Sequence, residues 1–184
     1  VVGRGAMTTL YSHSNLANLS ESLPPENMEN KFDFSDFSAL FNTLQTIFGE
    51  RGSRSLAIRA GRITFERGFR IFGKESEKGS EPGTGPLGKH SVFIRLNRLS
   101  NFLNSVSDQR SNVTAADAPD TFHFNIQVCP ICLERSSPEA ICSFFEGLLS
   151  EAAHTFSGGL EYSVRETQCM AVGAETCSFE IKLV

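Results

Sequence analysis

Tryptophan is absent from this chain, tyrosine occurs only at Tyr11 and Tyr162, and no apolar run approaches the ~20 residues that span a bilayer. Sixteen phenylalanines therefore supply nearly all of the aromatic surface. Such surface has no hydrogen-bonding handle, which suits a greasy interior, either a plain core or an apolar cavity. The opening stretch lacks the long apolar core of a secretory signal, so a cytoplasmic location is expected and a membrane span is not. Positive charge is not in excess either. Seventeen basic residues stand against 21 acidic ones, which argues against nucleic acid or anionic lipid as a partner. The four histidines (His13, His90, His123 and His154) are scattered, without the spacing of a histidine-based metal site. A nucleotide fingerprint is missing as well, because Gly-Thr-Gly-Pro-Leu-Gly at 83–88 is broken by proline and follows no strand. Binding rather than catalysis is the expected role.

What is present is a change of hydrophobic period along one chain of 184 residues, a length that suits a single domain. Residues 1–35 are polar and proline-broken and read as an N-terminal arm; 36–184 read as the domain. Phe37, Leu40, Phe41, Leu44, Ile47 and Phe48 recur at helical spacing up to Gly49. A second helix fits 55–73, with Ile58, Phe65, Phe69 and Phe72 on one side and Gly61 and Gly68 permitting close backbone approach. The glycine- and proline-rich stretch 74–89 reads as a surface loop and a candidate lid, and 91–106 as a third helix. Arginines from Arg51 to Arg70 spread around more than one helical face and read as solvated surface.

Beyond residue 120 the spacing becomes strand-like, with Phe122, Phe124, Ile126 and Val128 alternating with polar residues. Pro138 is expected to open a further helix. A hairpin follows from 160–166 and 177–184. The fold class is thus α+β, an antiparallel sheet with a C-terminal hairpin packed against several helices.

All five cysteines fall beyond residue 128, an odd number that favours metal ligation over a disulfide framework. Glu166 shares the inward face of its strand with Leu160, Tyr162 and Val164, where an unpaired carboxylate is costly. A bulge or the start of the loop lets Cys169 converge with Glu166 and Cys177, and inward-facing Cys142 completes a tetrahedral set suited to zinc. Cys129 and Cys132, in Cys-Pro-Ile-Cys, have knuckle spacing and could replace or join Cys142. Two alternatives stay open: buried cysteines acting as small apolar side chains, and a redox pair, which the late helix start disfavours.

Cys-Pro-Ile-Cys, then Ala-Ile-Cys-Ser-Phe-Phe-Glu-Gly-Leu-Leu, then Val-Arg-Glu-Thr-Gln-Cys-Met-Ala-Val-Gly-Ala-Glu-Thr-Cys-Ser-Phe-Glu-Ile resemble the 4-vinyl reductase domain family over residues 122–183. Ala174 stands where an acidic residue often follows the loop glycine in that family. The resemblance implies a small-molecule-binding domain related to sensor domains of aromatic-responsive activators and, in fold, to TRAPP trafficking subunits. It also implies a homodimer and a structural zinc held by Cys142, Glu166, Cys169 and Cys177. The expected function is binding of a small hydrophobic molecule, as sensor or carrier, with Phe65, Phe69, Phe72, Phe93 and Phe122 as candidate pocket residues. A part in vinyl reduction of a tetrapyrrole, or a protein-assembly role like that of the trafficking subunits, are the alternatives.

Overall fold

A computed structural model describes residues 2–24, 27, 32–76 and 89–184, with the side chains of 74–76 and 89–91 left out of the description. The stretch 77–88, most of the expected lid, lies outside the described residues. Helix α1 (Arg4–His13) and a single 3-10 turn (Ala17–Ser20) precede the long helix α2 (Phe34–Ser76). Helix α3 (Lys89–Val106) leads into strands β1 (Arg110–Ala115) and β2 (Thr121–Val128). Helix α4 (Ser143–Ser157) and strands β3 (Tyr162–Gln168) and β4 (Cys177–Leu183) complete the chain. All strand pairs are antiparallel, in the order β1-β2-β4-β3. This is the expected α+β architecture. Among the described residues no helix is long and apolar enough to cross a membrane.

The two helices expected on either side of Gly49 are joined as α2, and the join is a kink. Gly49 adopts φ 66° and ψ 175°, a conformation that a side chain would strain. The N-terminal half of α2 can thereby lie over the turn after β2, while the C-terminal half crosses α4. At that crossing the backbones nearly touch. A Cβ on Gly61 would sit 1.9 Å from the Phe144 carbonyl oxygen, and one on Gly147 would sit 2.0 Å from the Ile58 carbonyl oxygen. Glycine from both helices is what brings α2 and α4 into register.

The sheet closes the core from the other side. Phe124, Ile126, Phe179 and Ile181 of the sheet and Leu149, Ala152 and Ala153 of α4 are fully buried in one core. Alternation along β2 holds for Phe122, Phe124 and Ile126, with Phe122 opposite Ile181 and Phe124 opposite Phe179, but Val128, expected on the same inward row, is exposed at the end of the strand. The arm is not detached: Leu10, Leu16 and Leu19 are buried, and Val2, Met7 and Leu10 face Leu40, Leu44 and Leu56 of α2. Strand β1 was not foreseen. Only Ser111 and Val113 of its six residues point inward, too weak an alternation to read from sequence. The start of α4 also differs from expectation: helix begins at Ser143, with Cys142 as its N-cap, and not at Pro138. Residues before it are held in a bend, Ser137 N–H bonding the Ala171 carbonyl at 2.8 Å and Glu139 N–H the Ser137 hydroxyl at 3.2 Å.

Candidate functional site

The five cysteines meet at one point where the turn after β2, the N-terminus of α4 and the β3–β4 hairpin come together. Cys129 and Cys132 lie in the turn, Cys142 caps α4, Cys169 directly follows β3 and Cys177 begins β4. None forms a disulfide and all are buried. The register of β3 against β4 shifts between Glu166 and Gln168, the bulge that turns Cys169 toward the same centre as Glu166. Sγ of Cys132 lies 3.2 Å from Cys142, 3.6 Å from Cys169 and 3.5 Å from Cys177. Cys142 is 3.5 Å from Cys129 and 3.7 Å from Cys177. Thiolates about 2.3 Å from a tetrahedral ion stand about 3.8 Å apart, so the cluster has the scale of a single-ion coordination shell.

Three quartets of donor atoms each lie within 4.8 Å: Cys142, Glu166, Cys169 and Cys177; Cys129, Cys132, Cys142 and Cys177; and Cys132, Cys142, Cys169 and Cys177. The first is the set expected from the sequence. Glu166 Oε2 accepts the Cys142 backbone N–H at 2.9 Å, but Oε1 is buried without a hydrogen-bond partner among the described residues. Burial pushes the Glu166 pKa up to about 9, and the Cys169 thiolate beside it adds to the rise. A carboxylate in that position lacks a cation. Two of the thiols are tuned toward the thiolate, Cys132 and Cys169, the latter lowered to about 6. Hydrogen bonds from Cys129, Cys142, Cys169 and Cys177 hold the Cys132 pKa below the thiol range, while Cys129 and Cys132 push Cys142 and Cys177 above it. A divalent cation reverses that cost, since metal ligation deprotonates thiols outright. The donor chemistry, all sulfur and one carboxylate, therefore fits zinc or another thiophilic divalent ion.

Supports around the cluster were not foreseen. Ser38 of α2 donates to the Leu133 and Ile131 carbonyls at 2.8 and 3.3 Å, fastening the turn that carries Cys129 and Cys132. Arg135 donates to Gln45 Oε1 at 2.8 Å and to the Ile131 carbonyl at 3.4 Å, which keeps a cation beside the thiols. Glu146, nearly fully buried, accepts the Glu166 N–H at 3.0 Å and Arg54 at 2.7 Å. The hint in the sequence was an acidic residue within the apolar stripe of α4.

A separate apolar cavity of ≈ 150 Å³ lies between α2, α3 and α4. Phe65, Phe69 and Phe72 line it with Leu99, Leu103 and Phe156, and Arg95 and Arg98 stand at its wall. Phe65 and Phe69 stack at 5.5 Å, and Phe156 meets both edge-on at 5.5 and 5.9 Å. Arg95 lies 6.0 Å from the Phe156 ring. Phe93 and Phe122 pack on each other at 5.6 Å and are not among its lining residues. The lining includes no histidine, cysteine or tyrosine among the described residues, hence no side chain of the kinds that ligate heme iron other than methionine, which is absent too. A second cleft, ≈ 260 Å³ and almost wholly aliphatic, lies between α1 and α2.

Comparison with known proteins agrees with the resemblance seen in the sequence. Residues 122–183 match the family model of the V4R domain. No curated protein sequence matches the chain. Among solved structures, an H-NOX protein from S. oneidensis in the Fe(II)NO ligation state is similar at TM-score 0.57 and 15% identity, covering 96% of this chain and 89% of that one. The phenol-responsive sensory domain of the transcription activator PoxR with phenol is similar at TM-score 0.57 and 15% identity, covering 83% and 75%. A trafficking protein particle complex subunit 3 from Naegleria fowleri, covalently bound to palmitic acid, gives 0.56 and 12%, covering 80% and 93%. At these identities the likeness is one of fold.

Proposed function

We propose that this chain is a zinc-stabilised domain, residues 36–184 with 1–35 as its arm, that binds a small hydrophobic molecule in the α2–α3–α4 cavity as a sensor or carrier. The observation that carries this reading is the cavity itself: ≈ 150 Å³ walled by phenylalanine and leucine. An apolar cavity of about that size admits benzene. One substituted aromatic ring is the occupant that this volume favours, and a tetrapyrrole, with four linked rings, is disfavoured by it. Arg95 and Arg98 supply donors for a hydroxyl or carboxylate on that ring. The phenol-bound sensory domain that shares the fold supports the same ligand class.

Zinc at Cys142, Glu166, Cys169 and Cys177 supports the cavity from a distance. It ties the N-terminus of α4 to the hairpin, and α4 carries Phe156 and Leu148 into the cavity wall. A metal shell closed by four protein donors is structural. The domain is proposed to act as a homodimer through the exposed apolar residues of α2, Ile47, Phe48, Ile63 and Ile71.

Calorimetric titration with phenol, benzoate and toluene tests the ligand class. Saturable one-to-one binding of at least one ring, weakened by Gly68→Ala, is expected, because Gly68 lines the cavity and an added Cβ there meets no other atom within 4 Å. Absence of heat and of any thermal shift with all three would remove the cavity from the function.

A further inference from the structure

One tetrahedral ion in the first quartet leaves Cys129 and Cys132 unused, although both are buried and both touch the ligands. Cys129 Sγ lies 3.5 Å from Cys142, and Cys132 Sγ lies 3.2 and 3.5 Å from Cys142 and Cys177. The cluster holds six donors in all, five sulfurs and one carboxylate. They divide into two overlapping quartets that share one pair, Cys142 and Cys177. Two tetrahedra that share an edge have six corners. The shared pair here has the properties of a bridging edge: both side chains are fully buried, and their sulfurs stand 3.7 Å apart, against about 3.8 Å for an edge of a zinc–thiolate tetrahedron.

We propose that the cluster is a binuclear site, in which a second thiophilic divalent ion is held by Cys129 and Cys132 and bridged to the first through the thiolates of Cys142 and Cys177. This rests on the reading of the first quartet as a zinc site and extends it. The first ion has three sulfurs and the Glu166 carboxylate; the second has four sulfurs. Six anionic donors on two divalent ions leave the same net charge of two negatives as four such donors on one ion. That residue of charge faces the N-terminus of α4 at Cys142, the Met170 N–H on Cys177 Sγ at 3.3 Å, and the Arg135 guanidinium bound at the Ile131 carbonyl between the two turn cysteines. Fastening of that turn by Ser38 is accounted for as well, because it orients a ligand pair.

One distance sets the cost. Cys132 and Cys169 belong to different tetrahedra, yet their sulfurs are 3.6 Å apart. Loading both ions draws Cys132 away from Cys169 toward Cys129, a movement of the turn and not of the sheet. If a single ion were instead shared by Cys132, Cys142, Cys169 and Cys177, that contact would persist and Cys129 and Glu166 would be left outside.

The test is the metal content of the full chain, expressed with zinc and measured by plasma mass spectrometry against amino-acid analysis, with ¹¹³Cd NMR of the cadmium-exchanged protein. Two zinc ions per chain are expected, with two cadmium resonances coupled through the bridging sulfurs, one of them shifted by its oxygen ligand. The double variant Cys129→Ser/Cys132→Ser should fall to one ion and keep the oxygen-shifted resonance. One ion per chain in the wild type, unchanged in that variant, would overturn the second site and leave the first. One ion that disappears with Cys132→Ser would overturn both assignments in favour of the four-sulfur shell, and no ion would overturn both outright. Wild-type stoichiometry and the resonance count decide the matter even where the variant does not fold.

Discussion

Replacing Gly61 by alanine asks whether the α2–α4 crossing governs both sites. The new methyl would lie 1.9 Å from the Phe144 carbonyl oxygen and 2.7 Å from the Leu148 nitrogen. Ordinary contact needs about 3.4 Å or more, so the helices must part by more than 1 Å. These are backbone atoms, and no side chain can rotate away to make room. Overpacking of this kind costs about 1–3 kcal/mol, the upper end being expected where backbone must move, and alanine's better helix propensity returns under 1 kcal/mol. For a chain of this length about 2 kcal/mol lowers the melting temperature by roughly 4–8 °C. Separation also moves Cys142 at one end of α4 and Phe156 at the other, so metal affinity and ring binding should fall together. Gly68→Ala on the same helix is the control: its methyl meets nothing within 4 Å, and stability should hold or rise. Differential scanning fluorimetry on the two variants decides this. A melting point for Gly61→Ala within 1 °C of wild type would refute the crossing as described.

Other perturbations test individual contacts. Arg54→Ala leaves the buried Glu146 without its 2.7 Å partner; because the arginine is half exposed, a loss of about 1–2 kcal/mol is expected in urea denaturation, partly recovered by adding Glu146→Gln, whereas an unchanged midpoint would make that pair ornamental. Ser38→Ala should cost about 1 kcal/mol by removing the donor on the Ile131 and Leu133 carbonyls, and should weaken metal retention more than its effect on stability alone explains; equal retention in a competition with a chelator would contradict its role in orienting the turn. Phe156→Leu enlarges the cavity at a cost of about 1–2 kcal/mol and should shift preference from phenol toward larger substituted rings, a shift that competitive calorimetry would show or deny.

Much of the fold could be read because its signals were local. The alternation of Phe122, Phe124 and Ile126 identified β2, although Val128 at its end is exposed, and Gly49 marked the α2 break that the structure places at a positive φ. Glu166 drew attention because a carboxylate continued an apolar row, and its orphaned oxygen shows why that mattered. What could not be read depends on partners distant in sequence. Strand β1 is defined by its pairing with β2, from Arg110–Val128 to Ala115–Phe122, more than by its own composition. Pro138 is permitted at a helix start, but its segment is claimed by the Ser137–Ala171 backbone bond, so the helix waits for Ser143. Arg95 and Arg98 join the cavity only when α3 packs beside α2. The proximity of the Cys129–Cys132 turn to the other thiols is likewise a product of packing, since an open question at the level of spacing becomes sulfur distances of 3.2–3.6 Å.

The measurement that bears most directly on a metal-stabilised, ring-binding domain is a native mass spectrum of the chain purified without chelator, before and after addition of phenol. The account predicts zinc bound to every chain, a single ring-sized organic mass either retained from purification or taken up on addition, and loss of that mass when the metal is stripped. A metal-free chain that takes up no phenol would contradict it.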